Sequence, residues 1–144
     1  MIEIVFGSII YTATFLGCND GDSCKVRFDN SLDILEEQTI RFEGFDTPEM
    51  RGKCSKEKEL AKLAKEKTIN YMKNVGVVYS KGKRGKYGHI LVTAPKLQEM
   101  LISNGLARAY KGGKRQGWCE WGGSCLYPLN LILSQLSHTL MYNS

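Results

Sequence analysis

The chain has 144 residues, 42% of them hydrophobic and 24% charged, which describes one compact domain with a modest but sufficient core. No run reaches the ~18 consecutive apolar residues of a membrane-crossing helix, so a helical membrane protein is excluded and no membrane partner is expected. A net charge of +5 favours a polyanionic partner, because neutralising phosphates releases condensed counterions whatever the base sequence.

Residues 1–18 are crowded with Ile4, Val5, Phe6, Ile9, Ile10, Phe15 and Leu16, yet they do not read as a secretory leader. Glu3 stands where a leader carries Lys or Arg, polar Ser8, Tyr11, Thr12 and Thr14 interrupt the run, and no small-residue cleavage site follows. An intracellular protein is the default. Residues 8–16, 24–28 and 39–45, rich in Ile, Thr, Val, Phe and Tyr and parted by Gly, Asp and Asn, predict a three-stranded meander.

After Pro48 the period changes. Ser55 is a possible N-cap, Glu57 and Glu59 suit a first turn, and Leu60, Leu63, Ala64, Thr68, Tyr71 and Met72 recur on one helical face. Residues 75–79 and 87–93 predict a second hairpin around the basic loop 81–86, and 96–104 a short helix stopped by Gly105. Three strands, a helix, two strands and a helix is the element order of a five-stranded oligonucleotide-binding (OB-fold) barrel in a mainly β, α+β domain. Beyond residue 117 the character shifts. Residues 118–144 form a C-terminal extension in which Pro128 opens an apolar helical stripe, Leu129, Ile132, Leu133, Leu136 and Leu140, predicting a third helix at 128–142.

The five cysteines include no C-x-x-C pair and are odd in number, so neither a full disulfide framework nor a zinc knuckle is indicated. Reduced structural thiols are the simplest expectation; Cys18 with Cys24, across a hairpin, and Cys54 with Cys119 are the pairs that could meet.

The chemistry concentrates in two acidic turns, Asp20-Gly21-Asp22-Ser23 and Asp46-Thr47-Pro48-Glu49. Asp22 and Asp46 end predicted strands beside turn formers, where short carboxylates can converge with a backbone carbonyl such as that of Thr47 on a hard cation, and Ca²⁺ tolerates such an irregular oxygen set. Either motif alone is more often a plain turn; their co-occurrence favours a site. Pro48 stiffens the backbone before Glu49, the expected general base toward a water attacking a phosphodiester. Arg41 offers a planar guanidinium to a phosphate. On a regular strand, though, it faces opposite to Asp46, so the two converge only if the chain bends, and Gly44 is the obvious place. Lys83, Arg84 and Lys86 beside Tyr87, and Lys114 and Arg115 beside Tyr110, pair cations with ring faces as sequence-tolerant single-strand binders do, although such runs are commonly only solvated loops.

With Lys86-Tyr87-Gly88, these motifs in this order resemble the staphylococcal-nuclease-like (thermonuclease) family over roughly residues 8–117. The resemblance implies an OB-fold nuclease domain at 1–117, with Asp22, Asp46 and the Thr47 carbonyl as Ca²⁺ ligands, Glu49 as base, Arg41 as phosphate clamp and Tyr87 as a nucleotide contact. It implies endonucleolytic cleavage of DNA and RNA at the P–O5′ bond, leaving 3′-phosphates; the rings beside the basic loops make single strands the expected preference. The family places a second arginine directly after Lys-Tyr-Gly; this chain has His89 there, either an imidazolium acid for the leaving oxygen or the mark of a module that binds nucleic acid without efficient cleavage. In the first case His89 is catalytic and replacing it by arginine raises turnover. Residues 111–119 and Arg51-Gly52-Lys53-Cys54 resemble small bacterial and phage members, which implies a cytoplasmic or phage-associated setting; a monomer is expected.

Overall fold

The computed structural model describes residues 1–29 and 35–119. Strands β1 (Ile2–Phe6), β2 (Ile9–Asp20), β3 (Ser23–Asp29) and β4 (Leu35–Phe42) follow one another as antiparallel neighbours. A two-residue β5 (Phe45–Asp46), helix α1 (Ser55–Asn74), β6 (Val77–Arg84), β7 (Ile90–Thr93), α2 (Pro95–Ser103) and β8 (Arg108–Ala109) complete the order. Six strands close into a barrel in the order β1-β2-β3-β4-β7-β6, with parallel β1/β6 and β4/β7 seams, and β5 pairs with β8 outside it.

The barrel therefore has six strands rather than the expected five. The added strand is β1, which lay inside the segment weighed above only as a leader. Ile2 and Ile4 are buried and Glu3 between them is exposed, a period of two that a five-residue strand displays too briefly to separate from the run that follows. Two helices lie among the described residues; the helix expected at 128–142 falls outside them.

Helix α1 buries Leu60, Ala61, Ala64, Thr68 and Met72, close to the predicted face, and packs chiefly on β2. Cys54, not Ser55, is its N-cap, and no side chain caps it directly. Instead Glu57 reaches back so that its Oε2 accepts the Lys53 N–H at 2.8 Å, which satisfies one donor of the helix entrance. Helix α2 closes at Gly105 as expected, where the Leu106 N–H donates to the Leu101 carbonyl at 2.8 Å. Among the described residues no helix is long and apolar enough to cross a membrane.

Both cysteine pairs that could meet are disulfides, Cys18–Cys24 and Cys54–Cys119, which corrects the expectation of reduced thiols. The first links facing residues of β2 and β3. The second ties the chain after β8 to the entrance of α1 across 65 residues. Pairing at that sequence separation is decided by the path of the chain, not by any local signal.

Candidate active site

One end of the barrel gathers the charged residues. Asp20 pairs with Ser23, so Gly21 and Asp22 form a two-residue turn between β2 and β3, and the turn is fastened at each position. Asp20 Oδ1 accepts the Met50 N–H at 2.9 Å, the Gly21 carbonyl accepts the Thr68 hydroxyl at 2.6 Å, and the Asp22 carbonyl accepts the Phe42 N–H at 2.9 Å. Gly21 is required by close approach: a Cβ there would lie 2.9 Å from the Ala64 Cβ on α1. The helix thus presses the turn into place and leaves Asp22 only 3% exposed.

Asp46 reaches the same place by a different route. Strand β4 ends at Phe42, the chain bends through Glu43 and Gly44, and β5 begins at Phe45, so the parity that separated Arg41 from Asp46 is reset. Gly44 has φ +94°, in the region that favours glycine, and its carbonyl is held by the Tyr110 N–H at 2.9 Å. The β3/β4 register sets Arg41 opposite Ser23, so Arg41 Nη2 lies 3.9 Å from Asp22 Oδ2, while the bend brings the Thr47 N–H to 3.5 Å from the same oxygen. The bend expected at Gly44 is where the structure has it.

Burial pushes the Asp22 carboxyl up to about 6; Arg41 opposes the rise, the Asp46 charge adds to it, and Arg115 and the Thr47 N–H oppose it. Asp46 is buried on β5, whereas Glu49, beyond buried Pro48, keeps about half of its side chain exposed. One cation from far along the chain enters this cluster. Arg115 Nη2 is hydrogen-bonded to Asp46 Oδ1 and lies 3.4 Å from the Thr47 carbonyl, and Nη1 is 2.5 Å from Glu49 Oε1. Burial works against its charge, but the Asp46 hydrogen bond and the Asp46, Glu49 and Asp22 carboxylates more than offset that and hold it above its ordinary range.

Asp22, Asp46, Thr47, Glu49, Arg41 and Arg115 are therefore brought to one end of the barrel. Two clefts border them. One of about 430 Å³ is lined by Asp46, Glu49, Lys53, Lys114, Arg115 and Trp118, among others, and one of about 500 Å³ by Arg41, Gly44, Leu91, Gln98, Tyr110 and Lys111, among others. His89, at the entrance to β7, is not among the described partners of the three carboxylates; its ring stands 6.2 Å from that of Tyr87. Tyr87 is 78% exposed with Lys86 Nζ 5.8 Å from its centroid, and Lys83 is exposed. Arg84 is partly committed to the fold, donating to Gln38 Oε1 at 3.1 Å and to the Gly88 carbonyl at 2.8 Å. The Tyr110 hydroxyl donates to the Gly113 carbonyl at 2.7 Å.

Arg108 had no signal in the sequence. It sits on β8 opposite Asp46, stacks its guanidinium 3.9 Å from the buried Trp118 ring, and donates to the Gly117 carbonyl at 2.8 Å. A pairing across 62 positions leaves no local trace. A second cluster of metal-ligating types, Cys54, Glu57 and Cys119, has its ligand atoms within 4.8 Å of one another, but both sulfurs are committed to the disulfide.

The cluster's donor set suits a hard cation: carboxylate and carbonyl oxygens converge, the buried Thr47 hydroxyl has no partner, and a guanidinium already stands in as counter-charge. Among curated proteins no match is found. The family model of staphylococcal nuclease homologues matches residues 39–118, more than half of the chain, from within β4 to Trp118. On that match, the chain belongs to the staphylococcal nuclease homologue family.

Proposed function

We propose that the protein is a Ca²⁺-dependent nuclease that hydrolyses phosphodiester bonds of DNA and RNA, single strands by preference, and leaves 3′-phosphates. One observation carries the reading: three carboxylates and Arg41, from the β2–β3 turn, β4 and the segment after β4, meet beside open clefts in a protein of net charge +5. Asp22, Asp46 and the Thr47 carbonyl would hold the ion. Bound there, Ca²⁺ supplies a Lewis acid that polarises a phosphate oxygen.

The chain's own groups supply the rest. Glu49, half exposed behind Pro48, takes a proton from the attacking water. Arg41, about one-third exposed, offers its fork to nonbridging phosphate oxygens and offsets charge that grows in the transition state. Tyr87 gives a largely exposed ring for a base, and Lys83, Lys86 and Lys114 add sequence-independent attraction to phosphates. A second reading, a module that binds nucleic acid without cutting it, is favoured by His89 standing where the family carries its second arginine.

Digestion of heat-denatured DNA in Ca²⁺, with a chelator control, tests both. Cleavage in Ca²⁺ alone supports the nuclease; salt-sensitive binding without cleavage in either condition supports the second reading; equal rates in both conditions would remove the metal assignment.

A further inference from the structure

Arg115 is held where it is by construction. Two residues later the Gly117 carbonyl accepts from Arg108, three later Trp118 is buried beneath the Arg108 guanidinium, and four later Cys119 is bonded to Cys54. Arg108 in turn is the β-ladder partner of Asp46. The segment that carries Arg115 is thus anchored to the element that carries its carboxylate partner, and the guanidinium emerges between Asp46, Thr47 and Glu49 in the 430 Å³ cleft.

The atoms it occupies are those a cation needs. Asp46 Oδ1 and the Thr47 carbonyl both face Arg115 Nη2. A guanidinium has only donors and cannot share oxygen lone pairs with a divalent ion beside it, since the two positive charges would repel at short range. The fork that fits a carboxylate fits a phosphate equally well. Resting on the nuclease reading above, we infer that Arg115 is a substrate-binding residue that exchanges its carboxylate partners for a phosphate of the nucleic acid when a divalent cation takes Asp46 and the Thr47 carbonyl. Without metal it neutralises the carboxylates. With metal it becomes a second phosphate clamp, supplied from beyond β8 and not from position 89.

The exchange gives opposite signs in two binding measurements on one variant. Ca²⁺ titrated calorimetrically into Arg115→Gln should bind about tenfold more tightly than into wild type, because a competing cation is gone. A single-stranded phosphorothioate 12-mer, followed by fluorescence anisotropy in saturating Ca²⁺, should bind that variant about tenfold more weakly. In chelator the 12-mer should distinguish the two proteins far less, by no more than the loss of one positive charge accounts for, since Arg115 is then engaged by carboxylates. Arg115→Lys, which keeps the charge but not the fork, should fall between them. Ca²⁺ affinity unchanged or weakened in Arg115→Gln overturns the exchange, as does a 12-mer affinity that is insensitive to the variant in Ca²⁺ or equally reduced in chelator. Wild type that takes up no Ca²⁺ overturns the nuclease reading itself, and the exchange with it; wild type that binds Ca²⁺ and cuts DNA, with Arg115→Gln indistinguishable, overturns the exchange alone.

Discussion

The carboxylates and Arg115 meet in one site but are held by different means. Asp22 and Asp46 are positioned by paired backbone: a barrel turn pressed down by α1, and a strand re-aimed at Gly44 that pairs with β8 beside the barrel, each secured by backbone hydrogen bonds. Arg115 is carried on a segment without regular structure, secured by a stacked tryptophan, one carbonyl and a disulfide. The contrast teaches that the acidic half shares the stability of the fold, whereas the basic half depends on a few removable anchors.

The acidic half breaks most sharply. On the proposed reading, Asp46→Ala removes an oxygen ligand, and cleavage of denatured DNA should drop by about 10³ or more while the thermal transition persists. If Glu49 is the proposed base, acting on the water in the transition state, Glu49→Gln should lower kcat by about 10²-fold or more with substrate affinity nearly unchanged. A loss confined to affinity would make Glu49 a structural residue.

The basic half breaks through its tether. In the chain-entropy account, closing the 65-residue separation between Cys54 and Cys119 contributes about 4 kcal/mol, so Cys119→Ser should lower urea stability by up to that amount. The same variant should reproduce the tighter Ca²⁺ binding of Arg115→Gln, because an untethered Arg115 competes less well. Tethered and untethered proteins with identical Ca²⁺ affinity would detach the disulfide from the site.

Asp22 offers a smaller effect. Its folded value of about 6 lies above the ordinary 3.8, so the metal-free folded chain holds this proton more tightly than the unfolded chain does. The associated stability is complete below about pH 4 and is lost as pH rises through about 6, amounting to roughly 2–3 kcal/mol by pH 7. In chelator, wild type should therefore lose stability relative to Asp22→Asn across that window. A constant difference between the two would show that burial does not govern this carboxyl. Least of all should change in His89→Arg, whose turnover should stay within about threefold of wild type if Arg115, already hydrogen-bonded to Asp46 and Glu49, is the second clamp. A large gain would return the second clamp to position 89.

Much of this was legible in local pattern. The faces of α1 and α2, the two acidic turns and the need for a bend at Gly44 follow from period and from the special backbone of glycine and proline, which act over a few residues. Strand β1 escaped because a five-residue alternation merges with the apolar run beside it.

What the sequence determined by itself is the inventory and its local aim: carboxylates on tight turns, a stiffened Glu49, a strand that must bend before Asp46, and a basic surface around Tyr87. What only the tertiary structure decided is which distant residues close the site. Arg115 reaches Asp46 across 69 positions and Cys119 reaches Cys54 across 65, and both depend on β8 pairing with β5 and on Trp118 being buried beside it. Helical and strand periods fade within a few turns of chain, whereas loop closure over such separations leaves no mark on neighbouring residues. The lysine- and glycine-rich run from 111 to 115 could therefore announce a basic loop but not that its last arginine would lie against the carboxylates.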